Sequence, residues 1–515
     1  MEQSLSYFLM AWTDPYLVFL TAAGTFAGIY VGVIPGLSVT MAVSILISFT
    51  FTWDVNEALA VMAGVFLGGV YGGSRTAIMI NIPGAPAAIA AGFDGYPLAK
   101  LGLAGMAIGV STTVSFFGAL FGIAILAAAA PIVSEFSLMF APRDYLLLAI
   151  LGILLIGALS GESLAKGIFC GVLGILIGTV GLDPISAQPR LTFGSTALMG
   201  GIHYVAAMIG FFGISEVLVQ TLDLKKKIIK QNVDRILPSW KVVLKHLPLS
   251  MRCSAIGTVI GALPGAGGDI AALMAYGHAV RSVKKPTRPF GEGAVEGVVA
   301  PEAACSSAVG GAYIPMMTLG IPGDAVTAVL IGALYIHGLK PGPMLMIETP
   351  HLFWFTVGNL VMASIFLLIF GLTGIRAFAK MVEMPPALLM PIIVILSVVG
   401  TYSIQNSVTD VYWMLAFGIF GYFLKTYGFQ IGPIILGVIL GPLMDVSYRR
   451  AIITVRGDLG DFFLDLLVNP ISLVLTVGMV ALLVGQTPAW KRYAEKRKAK
   501  KEASGSPRNE AAGSK

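Results

Sequence analysis

The chain is 515 residues long, and 56% of its residues are hydrophobic while only 12% are charged, with a mean hydropathy of +0.86. These values exclude an ordinary water-soluble domain, in which about 25% of residues are charged. The formal net charge of +6 does not indicate nucleic-acid binding, because the basic residues concentrate in three polar segments, 223–252, 281–288 and 491–515. We predict that these segments are cytoplasmic, since cytoplasmic loops carry the excess of Lys and Arg.

Uncharged segments recur along the whole chain and predict membrane-spanning helices. Such segments lie at residues 101–134, 191–215, 303–323, 352–375, 384–409, 426–444 and 466–490. Each is long enough to cross the hydrocarbon core as a helix, which takes about 20 apolar residues. Shorter apolar runs between them raise the expected total to roughly 12 spanning or half-spanning segments. We therefore predict an all-α polytopic membrane protein whose transmembrane halves are residues 1–222 and 251–485.

Two helix breaks lie within apolar segments of the first half. Residues Gly28–Gly36 read Gly-Ile-Tyr-Val-Gly-Val-Ile-Pro-Gly, and residues Gly72–Gly84 begin with paired glycines and end in Asn-Ile-Pro-Gly. Proline lacks the N–H of a helical hydrogen bond and glycine permits turns, so a Pro-Gly pair breaks a helix. Non-helical backbone at membrane depth is tolerated only where it is buried in protein or lines a wet cavity. Pro35-Gly36 and Pro83-Gly84 therefore predict broken or re-entrant helices around a cavity.

The same two motifs return in the second half of the chain. Residues Gly257–Gly265 repeat the Gly-x3-Gly-x2-Pro-Gly pattern of the first motif, with the break at Pro264-Gly265. Residues Gly310–Gly323 repeat the second motif, with one more residue between the paired glycines and the break at Pro322-Gly323. Two motifs that recur in the same order indicate an internal duplication.

The charges beside the two copies predict that the copies face opposite sides of the membrane. The flanks of the first copy contain acidic residues and no Lys or Arg, whereas the second copy lies between the basic segments 223–252 and 281–288. We therefore predict two inverted-topology repeats, joined by a basic cytoplasmic loop at 223–250 and followed by a basic, disordered cytoplasmic tail at 486–515. Secondary transporters with such repeats bind their substrate at the repeat interface.

Broken helices offer ligands for both signs of charge. Their N-terminal ends present free N–H groups to an anion, whereas C-terminal ends and unpaired carbonyls suit a cation. We predict that the breaks and their small polar neighbours bind the substrate. The predicted substrate-binding residues are Pro35, Gly36, Ser38, Ser74, Arg75, Asn81, Pro83, Gly84, Pro264, Gly265, Gly267, Gly268, Ser306, Ser307, Thr318, Pro322 and Gly323. The predicted coupling-ion residues are Asn81, Asp269, Asp324 and Thr327.

Structural interpretations of these residues stay open. Glycine and serine also permit close packing of membrane helices. Asp324 is placed to cap the helix that follows Pro322-Gly323, and Arg75 could pair with an internal acid instead of a substrate carboxylate. An ionisable residue in an apolar segment is costly and usually functional, which favours Asp269, Asp324, Glu296, Glu302 and Arg75 as site residues.

The sequence lacks the motifs of common enzyme classes. It contains no P-loop, no nucleophile elbow and no HExxH motif, and the glycine-rich run at 265–268 is not followed by Lys-Ser/Thr. We therefore expect a transporter rather than an enzyme, with no cofactor other than a coupling ion. An anion channel or facilitator without ion coupling is the alternative.

At these motifs the chain resembles the large membrane subunit of the tripartite tricarboxylate transporters, the TctA type. The resemblance covers residues 15–485 and rests on Gly32–Gly36, Tyr71–Gly84, Gly261–Gly267 and Gly310–Asp324. It implies a multi-pass importer of the bacterial inner membrane that carries a tricarboxylate, a dicarboxylate or an aromatic carboxylate. It also implies a driving Na⁺ or H⁺ gradient, a small four-helix membrane subunit, and a periplasmic solute-binding protein that delivers the substrate.

Overall fold

A computed structural model describes most of the chain. The residues described are 2–34, 37–81, 84–159, 163–183, 186–221, 240–374 and 386–486. Across them the chain is almost entirely helical, and the one sheet is a short antiparallel pair, β1 (Gly181–Leu182) with β2 (Pro189–Arg190). The all-α class predicted from composition is confirmed.

The helices of the first half follow one another with short connections. They are α1 (Glu2–Thr13), α2 (Pro15–Val33), α3 (Val39–Thr50), α4 (Val55–Ile80), α5 (Ile89–Lys100), α6 (Ala104–Ser137), α7 (Pro142–Leu159), α8 (Leu164–Gly178), α9 (Thr196–Met199), α10 (Tyr204–Met208) and α11 (Ser215–Thr221). A 3-10 turn at Pro86–Ala88 precedes α5, and a π-helical turn at Ile209–Ile214 joins α10 to α11.

The second half continues the same pattern of long and short helices. They are α12 (Trp240–Gly261), α13 (Gly267–Ser282), α14 (Val295–Leu319), α15 (Ala325–Ile336), α16 (Pro343–Glu348), α17 (Pro350–Thr373), α18 (Pro386–Gln405), α19 (Val408–Thr426), α20 (Gly432–Thr454), α21 (Leu459–Val468) and α22 (Pro470–Gln486). Helix α12 begins inside the basic segment predicted as a loop at 223–250, and the tail beyond Gln486 lies outside the described residues.

Five helices of the described part are long and apolar enough to cross a membrane: α2, α4, α6, α17 and the continuous helix at 204–221. Helices α21 and α22, which meet at a bend of 93°, form a sixth candidate span if taken together. Shorter apolar helices lie at 39–50, 164–178, 325–336 and 390–405. The chain is thus a multi-pass helical membrane protein, and the total of roughly 12 segments stays a prediction.

One uncharged segment does not form the helix predicted for it. Residues 191–203 contain only the short helix α9, and the helix at 204–221 begins after them. Gly194 and Gly201 take φ values of 78° and 79°, and Leu191 and Phe193 also have positive φ. A continuous right-handed helix requires negative φ, so it cannot pass through these positions.

The first motif of each half packs against the second motif through close helix contacts. A Cβ added to Gly28 in α2 would meet the carbonyl of Val65 in α4, and one added to Gly257 in α12 would meet the carbonyl of Ala304 in α14. Small residues allow membrane helices to approach until their backbones touch. The helix pairs α2–α4 and α12–α14 therefore share one mode of packing.

The same contacts correct the alignment of the second motif. Gly72 lies on the carbonyl of Ile29, and Gly311 lies on the carbonyl of Thr258 in the corresponding place. Gly72 therefore corresponds to Gly311, and the extra residue inferred from aligning the paired glycines is not an insertion. In this register Asn81, with φ 57°, ends α4 where Gly320, with φ 70°, ends α14.

The two halves contact each other along helices α6 and α14. Gly118 and Gly122 of α6 lie against the backbone of Ala303 and Ser307 in α14. The buried carboxylate of Asp94, in α5, accepts hydrogen bonds from the backbone N–H groups just before α14, with N–O distances of 2.8–3.0 Å. A residue of the first half therefore fixes where a helix of the second half begins.

Candidate functional site

A cavity of about 320 Å³ lies where the helix breaks of both halves meet. Four short stretches beside the breaks line it: Ser38–Thr40, Ala85 with Ala87, Gly265–Asp269, and Asp324–Val326. The remaining lining residues are Phe66, Val70, Phe212, Glu216, Cys305, Lys425, Gln430, Gly432, Pro433 and Leu436. The cavity is therefore built mainly from residues that follow a Pro-Gly or Gly-rich break.

The four stretches occupy corresponding positions in the two halves. Ser38–Thr40 begin α3 after the first break, as Gly267–Asp269 begin α13. Ala85 directly follows Gly84, and Asp324 directly follows Gly323. Both glycines pack alike, because an added Cβ would meet the carbonyl of the preceding motif's glycine, Gly32 or Gly261. The cavity thus lies between matching surfaces of the two halves.

Four helices of eight or more residues begin at the cavity, namely α3, α13, α15 and α20. The first four N–H groups of a helix have no partner within it, and the helix dipole is positive at this end. Ser38 satisfies one of them, since its Oγ accepts a hydrogen bond from the N–H of Met41 at 3.0 Å. The part of the cavity wall formed by these helix N-termini is therefore suited to a negatively charged ligand.

Asp324 caps helix α15 at the cavity. Its carboxylate accepts hydrogen bonds from the N–H and the Oγ1 of Thr327, both at 2.7 Å. The Asp324 N–H donates in return to Thr327 Oγ1 at 2.9 Å. The capping role considered from sequence is therefore present, and the same residue also lines the cavity. Thr327 is fully buried behind Asp324 rather than in the lining.

Asp269 lies on the cavity wall in the first turn of α13. Its side chain is accessible from the cavity, which Ala87 of the first half also lines. Within the described part of the chain, neither Asp269 nor Asp324 has a basic partner. Two carboxylates without a counter-charge at membrane depth are costly unless a cation or a proton joins them.

Arg75 lies away from the cavity, in the contact between the two halves. Its guanidinium is 3.4 Å from the carboxylate of Glu302, donates to the Ile108 carbonyl at 3.1 Å and to Ser111 Oγ, and stacks 4.0 Å from the Tyr71 ring centre. The side chain is 3% exposed. This is the internal-acid pairing considered as the alternative for Arg75.

The full set of predicted site residues divides into three groups. Six line the cavity, namely Ser38, Gly265, Gly267, Gly268, Asp269 and Asp324. Described residues that do not line it are Ser74, Arg75, Asn81, Gly84, Pro264, Ser306, Ser307, Thr318, Pro322, Gly323 and Thr327. Three lie outside the described residues, namely Pro35, Gly36 and Pro83.

Hydroxyls in the second group are already used within the helices. Ser307 Oγ donates to the Ser254 carbonyl at 2.8 Å, and Thr318 Oγ1 donates to the Ile314 carbonyl at 2.7 Å. Ser74 Oγ donates to the Tyr71 carbonyl at 2.9 Å. A hydroxyl that bonds a backbone carbonyl has no proton left for a ligand, although its oxygen can still accept.

The sequence interpretation missed an ion pair in the cavity wall. Lys425 Nζ lies 2.6 Å from Glu216 Oε2, joining the end of α19 to α11. Each of the two residues is a lone charge in an apolar stretch. Lys425 is the one Asp, Glu, Lys or Arg in residues 411–444, and Glu216 is the one in residues 191–221. This isolation is the sequence signal that could have identified Glu216 and Lys425, because a lone charge at membrane depth indicates a functional residue.

Comparisons with known proteins find a family whose model covers most of the chain. The family model of the tripartite tricarboxylate transporter TctA family matches residues 18–436. An uncharacterized 52.8 kDa protein in the TAR-I ttuC' 3' region of Agrobacterium vitis is 35% identical over 448 residues, which cover 86% of this chain and 88% of the relative.

A second relative covers less of the chain. An uncharacterized protein in the TAR-II ttuC' 3' region of Agrobacterium vitis is 38% identical over 234 residues, or 45% of this chain and 95% of the relative. No solved structure matches this chain. The family match spans both pairs of motifs and every cavity-lining residue, from Ser38 to Leu436. The chain therefore belongs to the tripartite tricarboxylate transporter TctA family.

Proposed function

We propose that the chain is the transmembrane importer of an organic carboxylate, a tricarboxylate or a related dicarboxylate or aromatic carboxylate. It works in the bacterial inner membrane with a small four-helix membrane subunit, and a periplasmic solute-binding protein delivers the substrate. The observation that carries this proposal is the cavity between the repeated breaks, where four helix N-termini and two acids without basic partners meet. Family membership supports transport as the class of activity.

The halves are proposed to be inverted repeats. The matching helices α3 and α13 both run outward from the cavity, but they end beside different charges. Helix α3 ends at Thr50, ahead of Asp54 and Glu57, whereas α13 ends at Ser282, ahead of the basic run that starts at Lys284. Because basic loops stay in the cytoplasm, this arrangement favours a periplasmic end for α3 and a cytoplasmic end for α13.

Asp269 and Asp324 are proposed to bind the coupling ion, Na⁺ or H⁺. Carboxylate and carbonyl oxygens are the ligands that hard cations prefer. A carboxylate substrate entering a cavity with two unpaired acids is repelled unless a cation or proton offsets their charge. Binding of the cation thereby lowers the cost of binding the anion, which couples the two fluxes.

The experiment is uptake of radiolabelled citrate, succinate and terephthalate by cells that express this chain with its small subunit and binding protein. We expect accumulation of at least one of these compounds against its gradient, dependent on an inward Na⁺ or H⁺ gradient and on the binding protein. Equilibration without a cation gradient would instead support the anion channel, and the absence of flux for every carboxylate tested would contradict the proposal.

A further inference from the structure

The ion pair between Glu216 and Lys425 is part of the cavity wall, and both side chains remain accessible. They are 20% and 26% exposed, in contrast to the Arg75–Glu302 pair, whose members are 3% and 5% exposed. Gln220 holds the second oxygen of Glu216, with its Nε2 3.0 Å from Oε1. A ligand in the cavity can therefore reach this pair without opening the protein core.

Lys425 is the one basic residue among the cavity-lining residues of the described chain, and three acids accompany it: Glu216, Asp269 and Asp324. An organic carboxylate brings further negative charge into this surrounding. Helix N-termini carry only partial positive charge, about half an elementary charge each. The ammonium group of Lys425 is therefore the strongest attraction that the cavity lining offers to a carboxylate.

We propose that a carboxylate group of the substrate replaces Glu216 on Lys425, so that Glu216 holds the place of the substrate in the empty cavity. The inference rests on the proposed carboxylate transport. The exchange trades one ammonium–carboxylate contact for another, and Glu216 keeps its hydrogen bond from Gln220. Lys425 is thus never left in the cavity wall without a counter-charge, which is the costly state for such a residue.

The exchange also ties substrate binding to the contact between two helices. The pair links α11 to α19, and α11 follows directly on the π-helical turn at Ile209–Ile214, whose Phe212 lines the cavity. When the substrate takes Lys425, this link between α11 and α19 is released. Substrate occupancy is then sensed at an irregular helix, a common feature of functional sites.

The test is equilibrium binding of radiolabelled citrate, succinate and terephthalate to the purified full chain in nanodiscs with sodium present. Glu216→Gln and Lys425→Gln are expected to change the Kd in opposite directions. Lys425→Gln removes a charge-assisted contact and weakens binding about 10- to 100-fold. Glu216→Gln removes the internal competitor and tightens binding several-fold. The double variant binds as weakly as Lys425→Gln, because the substrate has lost its ammonium partner.

The matched control is an ion pair of the same length elsewhere. Arg143 and Asp465 are also 2.6 Å apart, between α7 and α21, and do not line the cavity. Asp465→Asn is expected to leave the Kd unchanged. Equal weakening by Glu216→Gln and Lys425→Gln, or no effect of Lys425→Gln, would overturn the exchange and leave carboxylate transport standing. Failure of every probe to bind either wild type or Glu216→Gln would overturn both proposals.

Discussion

The two halves of the protein share their helix packing but present different chemistry to the cavity. Where the second half carries Asp269 and Asp324, the first half carries Thr40 and Ala85 in the corresponding positions. Both halves also place a helix N-terminus there, at α3 and at α13. The comparison teaches that the repeat builds the cavity, while the two cavity acids without a basic partner both come from the second half.

A second difference lies behind the cavity. Arg75 in the first half corresponds to Ile314 in the second, and Glu302 in the second corresponds to Ala63 in the first. Each half therefore contributes one partner to an ion pair that joins them, with hydrogen bonds around the guanidinium. This pair is sealed from solvent, whereas the Glu216–Lys425 pair is open to the cavity. Burial separates a structural ion pair from one that a ligand can reach.

The largest effect on stability is expected when the Arg75–Glu302 ion pair between the two halves is broken. Arg75→Met leaves the buried Glu302 without a counter-charge, and the loss should be about 3–5 kcal/mol of unfolding free energy. Thermal unfolding in detergent measures it. Arg143→Met is the control, because the more exposed Arg143–Asp465 pair should contribute no more than about 1 kcal/mol. Equal losses of unfolding free energy in Arg75→Met and Arg143→Met would contradict the claim that the buried ion pair contributes more to stability than the more exposed one.

A smaller effect tests whether the two halves pack alike. A Cβ at Gly32 would meet the Gly69 carbonyl, and one at Gly261 would meet the Ala308 carbonyl. Each Gly→Ala change should cost about 1–3 kcal/mol, as overpacking usually does. Gly478→Ala, in α22 with open space around it, should have little effect or stabilise slightly. Strongly unequal losses at Gly32 and Gly261 would argue against a shared packing arrangement.

The smallest effect on stability accompanies the sharpest effect on transport. Asp324→Asn keeps a good N-cap for α15, so stability should change by less than about 1 kcal/mol. Uptake should nevertheless lose its dependence on the cation gradient, because the carboxylate is gone. Asp458→Asn makes the same change at the N-cap of α21, outside the cavity, and should leave uptake unaltered. Normal cation dependence in Asp324→Asn would leave Asp324 with its capping role alone.

Local sequence was enough to locate the breaks and part of the cavity lining. Gly267, Gly268 and Asp269 come within four residues of Pro264-Gly265, and Asp324 directly follows Pro322-Gly323, so their place depends only on where a helix restarts. The repeat itself could also be read from the glycine spacing. Its register could not, because only the contacts of Gly72 and Gly311 show which glycines correspond.

Sequence reasoning failed where tertiary packing decides. Glu216 and Lys425 come from helices distant in the chain, and nothing local indicates that they meet at the cavity. Ser307 and Thr318 have the composition expected of ligands, yet their hydroxyls bond backbone carbonyls within the bundle. Arg75 stands in the same motif as a break, but its long side chain reaches Glu302 instead of the cavity.

The most direct test of the central claim, that the cavity between the breaks binds the substrate, uses the cysteine in its wall. Cys305 lines the cavity, whereas Cys170 and Cys253 do not, so a Cys170→Ser/Cys253→Ser variant has its one thiol at the site. The measurement is the rate at which N-ethylmaleimide alkylates Cys305 in the full-length protein. The account predicts that a transported carboxylate, with the coupling cation present, slows alkylation at concentrations near its uptake KM. An alkylation rate that no transported carboxylate changes would contradict it.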